Sequence, residues 1–278
     1  MTHTHTIISA DGTTLALYER TVIEKSGASV LLIHGMGDHA NALPYRLLGD
    51  YLLNGNMNFF SFDLRGHGRS GGKRMYVNSW MDYMDDMVAV CKHIRSVCKC
   101  PLFICGLSLG GLIAVSCAQQ HPGEFKGIIL ASPALDNSGS PTLVKLLLPV
   151  ISMFFPGKLI DLKLDLSGIS RDATAVAEYT SDPFWQNKAT PRLALATLQA
   201  IKASKQYAAT MQTPLLLLQG ADDRIVPPGG AQAFYNNIEM KEKEKHIYPG
   251  ALHNLFIETN REEVFADIIN WINKELQH

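Results

Sequence analysis

The sequence predicts an α/β fold: one mostly parallel sheet of eight strands with helices on both faces and an inserted helical segment. Compact apolar runs alternate with helical stretches along most of the 278 residues, as repeated βαβ units require. The alternation stops between about residues 136 and 211, where no strand candidate is found. Because such a length is too great for a simple connection, we expect an inserted helical subdomain there.

The strand candidates begin with two short runs, at about 4–9 and 14–20, separated by the hairpin signal Asp11-Gly12. Six further runs are compact and mostly apolar, which is typical of parallel strands covered on both faces. They are Ser29–Ile33, Met57–Phe62, Pro101–Cys105, Gly127–Ala131, Pro214–Gln219 and Lys245–Tyr248. We therefore assign residues 1–135 and 212–278 to the sheet core and residues 136–211 to a helical cap.

Composition excludes several classes of protein. Hydrophobic residues make up 46% of the chain and charged residues 18%, so a disordered chain is excluded. Lys and Arg number 25 and Asp and Glu 26, which gives a formal net charge of 25 − 26 = −1. A near-neutral chain has no electrostatic reason to bind nucleic acid.

The cysteines and the N-terminal segment indicate the cellular compartment and whether a metal site is expected. Five cysteines, an odd count, and an N-terminal segment without an apolar signal run predict free thiols in the reducing cytoplasm. Neither the Cys98/Cys100 pair nor the His3/His5 pair has further ligands at zinc spacing along the chain, so we expect no metal site.

A candidate nucleophile lies in the middle of the chain. The strand candidate ending at Cys105 runs directly into Gly106-Leu107-Ser108-Leu109-Gly110, and a helical pattern follows. This is G-x-S-x-G in the strand–turn–helix context that lifts a serine hydroxyl above the edge of a sheet. The backbone N–H of Leu109 lies at a helix start, where unpaired N–H groups can bind a developing anion.

A nucleophilic serine needs a base, and the base needs an acid that orients it. His253 follows the strand candidate that ends at Tyr248, and Asp222 and Asp223 follow the strand candidate before that one. Carboxyl ends of parallel strands share one rim, so we expect His253 to be the base. These residues alone leave Asp222 and Asp223 as alternatives for the acid.

An oxyanion hole needs a second N–H donor. The third strand candidate ends in the loop His34-Gly35-Met36-Gly37-Asp38-His39, and a His-Gly turn in this position commonly supplies that donor. We assign the donor to the backbone N–H of Met36.

With these residues in view, the chain resembles the monoacylglycerol lipases of the α/β-hydrolase superfamily, a branch that also holds lysophospholipase-like and S33-type hydrolases. The resemblance covers about residues 10 to 275. Its motifs are the loop 34–39, Asp63-Leu64-Arg65-Gly66-His67-Gly68-Arg69-Ser70, the G-x-S-x-G turn, Asp223-Arg224, the His253 loop, and the cap segments 167–171 and 179–183. The family's G-x-x-D-R pattern favours Asp223 as the acid, and a frequent glutamate of the family is Asp38 here, which we expect at the alcohol end of a substrate.

The resemblance implies hydrolysis of single-chain lipid esters, most specifically of monoacylglycerol to glycerol and a fatty acid, through an acyl-enzyme and without a cofactor. The start of the cap supports a lipid substrate, because the stretch 142–155 is apolar except for Lys145. We expect four of its side chains to line the acyl site: Leu146, Val150, Ile151 and Phe154.

Alternatives remain open at this point. The outer face of the cap either contacts a membrane surface or packs on the core, and both a monomer and a homodimer are compatible with the chain. The rival activities are a general carboxylesterase or lysophospholipase using the same triad and, more remotely, a non-catalytic ligand-binding protein of the same fold.

Overall fold

The computed structural model describes residues 2–22, 26–136, 138 and 141–277. Eight strands form the main sheet: β1 (His3–Ile8), β2 (Thr14–Arg20), β3 (Ala28–Ile33), β4 (Met57–Phe62), β5 (Leu102–Leu107), β6 (Gly127–Ala131), β9 (Leu215–Gly220) and β10 (Lys243–Tyr248). Two further strands, β7 (Ile160–Asp161) and β8 (Lys188–Ala189), pair with each other.

The main sheet runs in the order β1-β2-β4-β3-β5-β6-β9-β10. Strand β1 pairs antiparallel with β2, and β2 pairs antiparallel with β4. The other pairs, from β4 to β10, are parallel. The predicted α/β fold is therefore confirmed, with an antiparallel hairpin at one edge whose turn contains Gly12 at φ +84°.

The helices are α1 (Leu43–Asn54), α2 (Met81–Val97), α3 (Leu109–Gln120), α4 (Thr142–Phe154), α5 (Ala173–Thr180), α6 (Pro191–Gln206), α7 (Pro228–Asn237) and α8 (Arg261–Glu275). They cover both faces of the sheet. Along β3, Leu31 and Ile33 belong to the buried cluster under α2, α3, α6 and α7, while Val30 and Leu32 belong to the cluster under α1 and α8. This period of two explains why the central strands read as unbroken apolar runs.

The segment between β6 and β9 differs in two ways from the expectation. The short pair β7 and β8 lies inside it, although no strand was expected there. Two residues per strand carry no periodic pattern, which is why the sequence gives no sign of them. In addition, Leu193 and Ile201 of α6 join the core cluster beside the sheet, so the last helix of the segment packs as part of the core. The division of the chain at residues 136 and 211 stays a prediction.

Within the described residues, no helix combines the length and the apolar character needed to cross a bilayer.

Candidate active site

Ser108 lies on a strained turn between β5 and α3. Its backbone angles are φ 54° and ψ −114°, a combination that residues with a Cβ rarely adopt. The turn is held because Ser108 N–H donates to the carbonyl of Ala131 and Ser108 C=O accepts from the N–H of Ala134. The strand–turn–helix context predicted for the G-x-S-x-G pattern is thus present.

The glycines of this turn are required because a side chain at their positions would clash with the backbone. A Cβ on Gly106 would lie 2.3 Å from the carbonyl oxygen of Gly110, and a Cβ on Gly110 would lie 2.0 Å from the carbonyl oxygen of Ile33. Both distances are far below van der Waals contact with backbone atoms that cannot move aside. Residues without a side chain therefore let β5, α3 and the end of β3 approach closely enough to form the turn.

His253 and Asp223 meet at the carboxyl ends of β9 and β10. The Nδ1 of His253 lies 2.8 Å from Oδ2 of Asp223, whose side chain is fully buried. The other carboxylate oxygen of Asp223 accepts the backbone N–H groups of Ile225 and Val226, each at 2.9 Å. Because that carboxylate is held on both oxygens, Nδ1 of His253 carries the proton and Nε2 is left as the basic nitrogen. Asp222, by contrast, is exposed.

The segment between β6 and β9, predicted above to be a cap and called the cap below, holds the histidine loop in place. The N–H of His253 donates to the carbonyl of Gly168, and the N–H of Asn254 donates to the carbonyl of Ile169 at 2.7 Å. Buried Glu258 accepts the N–H of Leu252 at 2.8 Å and forms an ion pair with Arg171 of the cap. The role of Glu258 was missed at the sequence level, because nothing in its neighbourhood along the chain marks it as buried.

The two expected oxyanion donors belong to residues that share a cavity with the serine. Met36 and Leu109 both line the cavity that contains Ser108. Neither backbone N–H donates to a protein acceptor within the described part of the chain. Unpaired N–H groups next to a serine hydroxyl are the chemical requirement for binding a developing oxyanion.

Asp38 is buried behind this loop and does not line the cavity. Its Oδ2 accepts the hydroxyls of Tyr45 and Tyr179, each at 2.7 Å, and the Tyr45 hydroxyl also accepts the N–H of Gly35. Burial raises the pKa of Asp38 to about 6, although both tyrosine hydroxyls oppose that shift. The expected substrate contact through Asp38 is thus corrected: this carboxyl joins the loop to cap helix α5 and has no free side toward a ligand.

The Asp63-x-Arg65 motif braces the same loop from the other side. Asp63 accepts the N–H of Ala40 at 2.7 Å and the N–H of Arg69 at 2.7 Å. The ring of His34 spans the loop and the motif: Nδ1 donates to the carbonyl of Gly35, and Nε2 accepts the N–H of Leu64 at 2.9 Å. Burial, with a smaller effect of the neighbouring His67, holds the pKa of His34 well below its usual value, so the ring is a neutral brace.

The cavity at Ser108 is mostly apolar. Its lining from the core includes Gly35, Met36, Leu107, Ser108, Leu109, Ala134, Ile225, Val226, His253 and Asn254. Its lining from the cap includes Leu162, Leu164, Ile169, Tyr179, Trp185, Gln186 and Asn187. No lysine, arginine, aspartate or glutamate belongs to this lining among the described residues.

Helix α4 does not supply the lining that was expected of it. None of Leu146, Val150, Ile151 and Phe154 is among the cavity residues. The helix buries Leu148 and Ser152 and packs against α6, which turns the rest of its apolar side outward. Leu146 is 72% exposed, Val150 55% and Phe154 67%. The sequence correctly predicted that this helix is apolar. Which of its sides faces the core depends on tertiary packing that the sequence does not show.

Asn187 is a polar group that sequence reasoning missed. It lies among the cavity residues, and its Oδ1 is buried without a hydrogen-bond partner among the described atoms. The neighbouring Gln186 N–H donates to the carbonyl of Gly37 at 2.7 Å, which fixes this cap segment against the oxyanion loop. A buried, unpaired acceptor is costly unless a ligand or water satisfies it.

The sheet order and the serine turn at the end of β5 define an α/β-hydrolase. Sequence comparison agrees: the profile of the serine aminopeptidase S33 family matches residues 24–260. The human monoglyceride lipase is 31% identical, over 96% of this chain and 89% of its own length. The monoacylglycerol lipase of Mycolicibacterium smegmatis is 29% identical, over 89% of this chain and 88% of its own length.

Solved structures show the same similarity. The monoacylglycerol lipase of Paleococcus ferrophilus superposes with a TM-score of 0.85 at 28% identity, over 93% of this chain and 99% of its own. A soluble variant of the Saccharomyces cerevisiae monoglyceride lipase, solved in complex with a substrate analog, superposes with a TM-score of 0.85 at 26% identity, over 97% of this chain and 94% of its own. The chain therefore belongs to the serine aminopeptidase S33 family of α/β-hydrolases, and it is a hydrolase of the lipase and esterase kind.

Proposed function

We propose that the protein hydrolyses monoacylglycerols and similar single-chain lipid esters with Ser108 as nucleophile, His253 as base and Asp223 as the orienting acid. The observation that carries the proposal is the common cavity of Ser108 and His253, the latter hydrogen-bonded to a buried carboxylate. The names of the relatives at about 30% identity support the same substrate class.

The reaction has two steps. Nε2 of His253 takes the proton of the Ser108 hydroxyl as its oxygen attacks the ester carbonyl, and the N–H groups of Met36 and Leu109 bind the oxyanion. His253 then gives that proton to the leaving alcohol, and an acyl-Ser108 ester remains. Water, deprotonated by His253, releases the fatty acid in the second step. Each oxyanion donor contributes about 10²–10³ in rate.

A panel of esters tests the acyl preference. The apolar lining predicts that kcat/KM rises from acetyl to medium and long acyl chains, because each buried methylene adds favourable transfer free energy of about 0.8 kcal/mol. Equal rates for acetyl and long-chain esters would contradict the lipid substrate and favour a general carboxylesterase.

The uncharged lining separates the proposal from the lysophospholipase alternative. A phosphate-bearing head group needs lysine, arginine or a set of backbone donors, and the cavity residues include no lysine or arginine among those described. A neutral glycerol head needs only hydrogen-bond partners, and the unpaired Oδ1 of Asn187 offers one. We expect monoacylglycerol to be hydrolysed faster than lysophosphatidylcholine of the same acyl chain, and Asn187→Leu to raise KM for monoacylglycerol more than for a simple alkyl ester.

The outward face of α4 supports a second part of the proposal, which is contact with a lipid surface from the cytoplasmic side. Its exposed apolar residues are Leu143, Val144, Leu146, Leu147, Val150, Met153 and Phe154, and exposed Phe155 follows the helix directly. Leu162, eight residues after the end of α4, is 48% exposed and also lines the active-site cavity. An exposed apolar patch on the same segment that lines the cavity fits a membrane surface from which a lipid substrate enters.

Vesicle cosedimentation tests this contact. The double variant Leu146→Ser/Phe154→Ser should lower partitioning onto phosphatidylcholine vesicles by about tenfold or more, since two large apolar side chains lose their burial in lipid. Val88→Ser, which changes an apolar residue of α2 that is 50% exposed, should have no effect. Unchanged partitioning of the double variant would exclude the patch as a lipid contact, and a concentration-dependent dimer that this variant abolishes would assign the patch to a second copy.

A further inference from the structure

Three potential metal ligands from distant parts of the chain meet at the edge of the sheet. His5 lies on β1, Glu19 on β2 and His93 on α2, which packs against β1. In the antiparallel register His3 stands opposite Glu19, so His5 and Glu19 are diagonal neighbours on one face. The same face is the one that α2 covers.

The donor atoms of the three side chains converge. Nε2 of His5 lies 2.8 Å from Oε2 of Glu19, and the rings of His5 and His93 have centroids 4.9 Å apart. One ligand atom from each residue lies within 4.8 Å of the other two. Among the described residues, this is the one group of three such side chains with that spacing.

The hydrogen bond between His5 and Glu19 does not explain the environment of His93. Its Nε2 is buried and has no hydrogen-bond partner in the described part of the chain. In one tautomer of the neutral imidazole, this nitrogen carries a free lone pair that can bind a metal ion. A buried polar atom without a hydrogen-bond partner needs an explanation, and a cation bound between the two rings would give this nitrogen a partner.

We propose that His5, Glu19 and His93 bind a divalent transition-metal ion, with Zn²⁺ as the ion of first choice. Two imidazole nitrogens and one carboxylate oxygen are a ligand set that Zn²⁺ accepts, with water in the fourth position. Bonds of about 2.0–2.1 Å in a tetrahedron place the ligand atoms roughly 3.3 Å apart. Because the ligand atoms lie within 4.8 Å of one another, no pair needs to close by more than about 1.5 Å, which rotation about the χ angles provides.

The proposed site has a structural role and does not depend on the proposed function. None of its residues lines the active-site cavity. The ion would join the edge strand β1 to helix α2, so this proposal departs from the expectation of no metal site. That expectation rested on spacing along the chain, and His93 lies 88 positions from His5 (93 − 5).

Zinc titration of the full-length protein tests the site by thermal unfolding. At a free Zn²⁺ concentration 100 times the dissociation constant, the midpoint should rise by about 5 °C. His93→Ala should weaken binding by at least about 100-fold, a larger loss than mutation of outer-shell groups causes. Glu19→Gln keeps a hydrogen-bond acceptor for His5, removes the negative charge and should weaken binding as well.

His246→Ala is the matched control. His246 is also a half-buried histidine on an edge strand, paired with Glu244 and Asp267. This variant should keep the zinc response of the wild type, and His93→Ala should keep the wild-type esterase rate. Binding of Co²⁺ should give visible absorption bands of tetrahedral nitrogen and oxygen coordination in the wild type and not in His93→Ala. No midpoint shift at millimolar zinc, or an equal shift in His93→Ala, would overturn the proposal.

Discussion

Asp223→Asn is the substitution that most sharply tests the roles of the acid and the base. The change keeps the size of the side chain and removes its charge. Oδ1 of Asp223 accepts two backbone N–H groups at 2.9 Å, so the amide oxygen of an asparagine must take that position. The amide nitrogen then lies where Oδ2 was, 2.8 Å from Nδ1 of His253.

The consequence is a reversed hydrogen bond. The amide N–H donates to Nδ1, so the proton of the imidazole moves to Nε2, which can no longer accept the proton of Ser108. The wrong tautomer in a triad of this kind costs about 10⁴ in kcat. Gln219 donates through Nε2 to Oδ2 of Asp223 at 3.1 Å, and its Oε1 has no partner among the described atoms. A turn of the Gln219 amide by about 180° therefore lets Oε1 accept the second N–H of the asparagine. We therefore expect an intact fold with very low activity.

The assay is kcat on a soluble monoacylglycerol, with the unfolding midpoint measured on the same samples. Asp222→Asn is the control, since Asp222 is exposed and adjacent in the chain; its kcat should stay within about twofold of the wild type. A loss below tenfold in Asp223→Asn, or a comparable loss in Asp222→Asn, would refute the assignment of the acid.

Three further predictions concern the structure around the site. Arg65→Met should destabilise the fold by about 3–5 kcal/mol in urea unfolding, because the fully buried Asp86 carboxylate loses its partner, and Arg65→Met/Asp86→Leu should recover most of this loss. Gly110→Ala should abolish soluble, active protein, as judged by expression and ester hydrolysis, because its Cβ would meet the carbonyl of Ile33 at 2.0 Å. The pKa of Asp38 is raised to about 6, so this carboxyl keeps its proton in the folded state at a pH where the unfolded chain has lost it. The free energy of unfolding should therefore fall as pH rises from about 4 to 6. In Asp38→Asn this fall should be smaller, as measured by urea unfolding across that pH range.

The features that the sequence predicted correctly lie next to strand ends. The strand–turn–helix around Ser108 follows from local chemistry, since a strained turn needs glycines at fixed positions. The closeness of His253 to the Asp222-Asp223 pair follows from parallel topology, which brings the carboxyl ends of neighbouring strands to one rim, whereas the choice of Asp223 came from the family resemblance. Both inferences use information contained within a few residues of each position.

The features that were missed depend on packing between distant segments. Tyr179 contacts Asp38 across 141 positions, and Asn187 reaches the cavity because its segment packs on the oxyanion loop. Helix α4 is apolar nearly all round, so its pattern does not tell which side faces α6 and which faces outward. Such directions are set by tertiary contacts that leave no periodic signal in a single sequence.

The mass of the intact protein after reaction with a fluorophosphonate probe tests the central claim most directly. A serine activated by His253 should take up one probe molecule, located on the peptide that contains Ser108, with loss of monoacylglycerol hydrolysis in proportion to labelling. Ser108→Ala should take up none and should hydrolyse no ester above background. A wild type that is unlabelled and hydrolyses no ester would favour a non-catalytic binding protein of this fold. A Ser108→Ala variant that keeps its esterase rate would contradict the assignment of Ser108 as nucleophile.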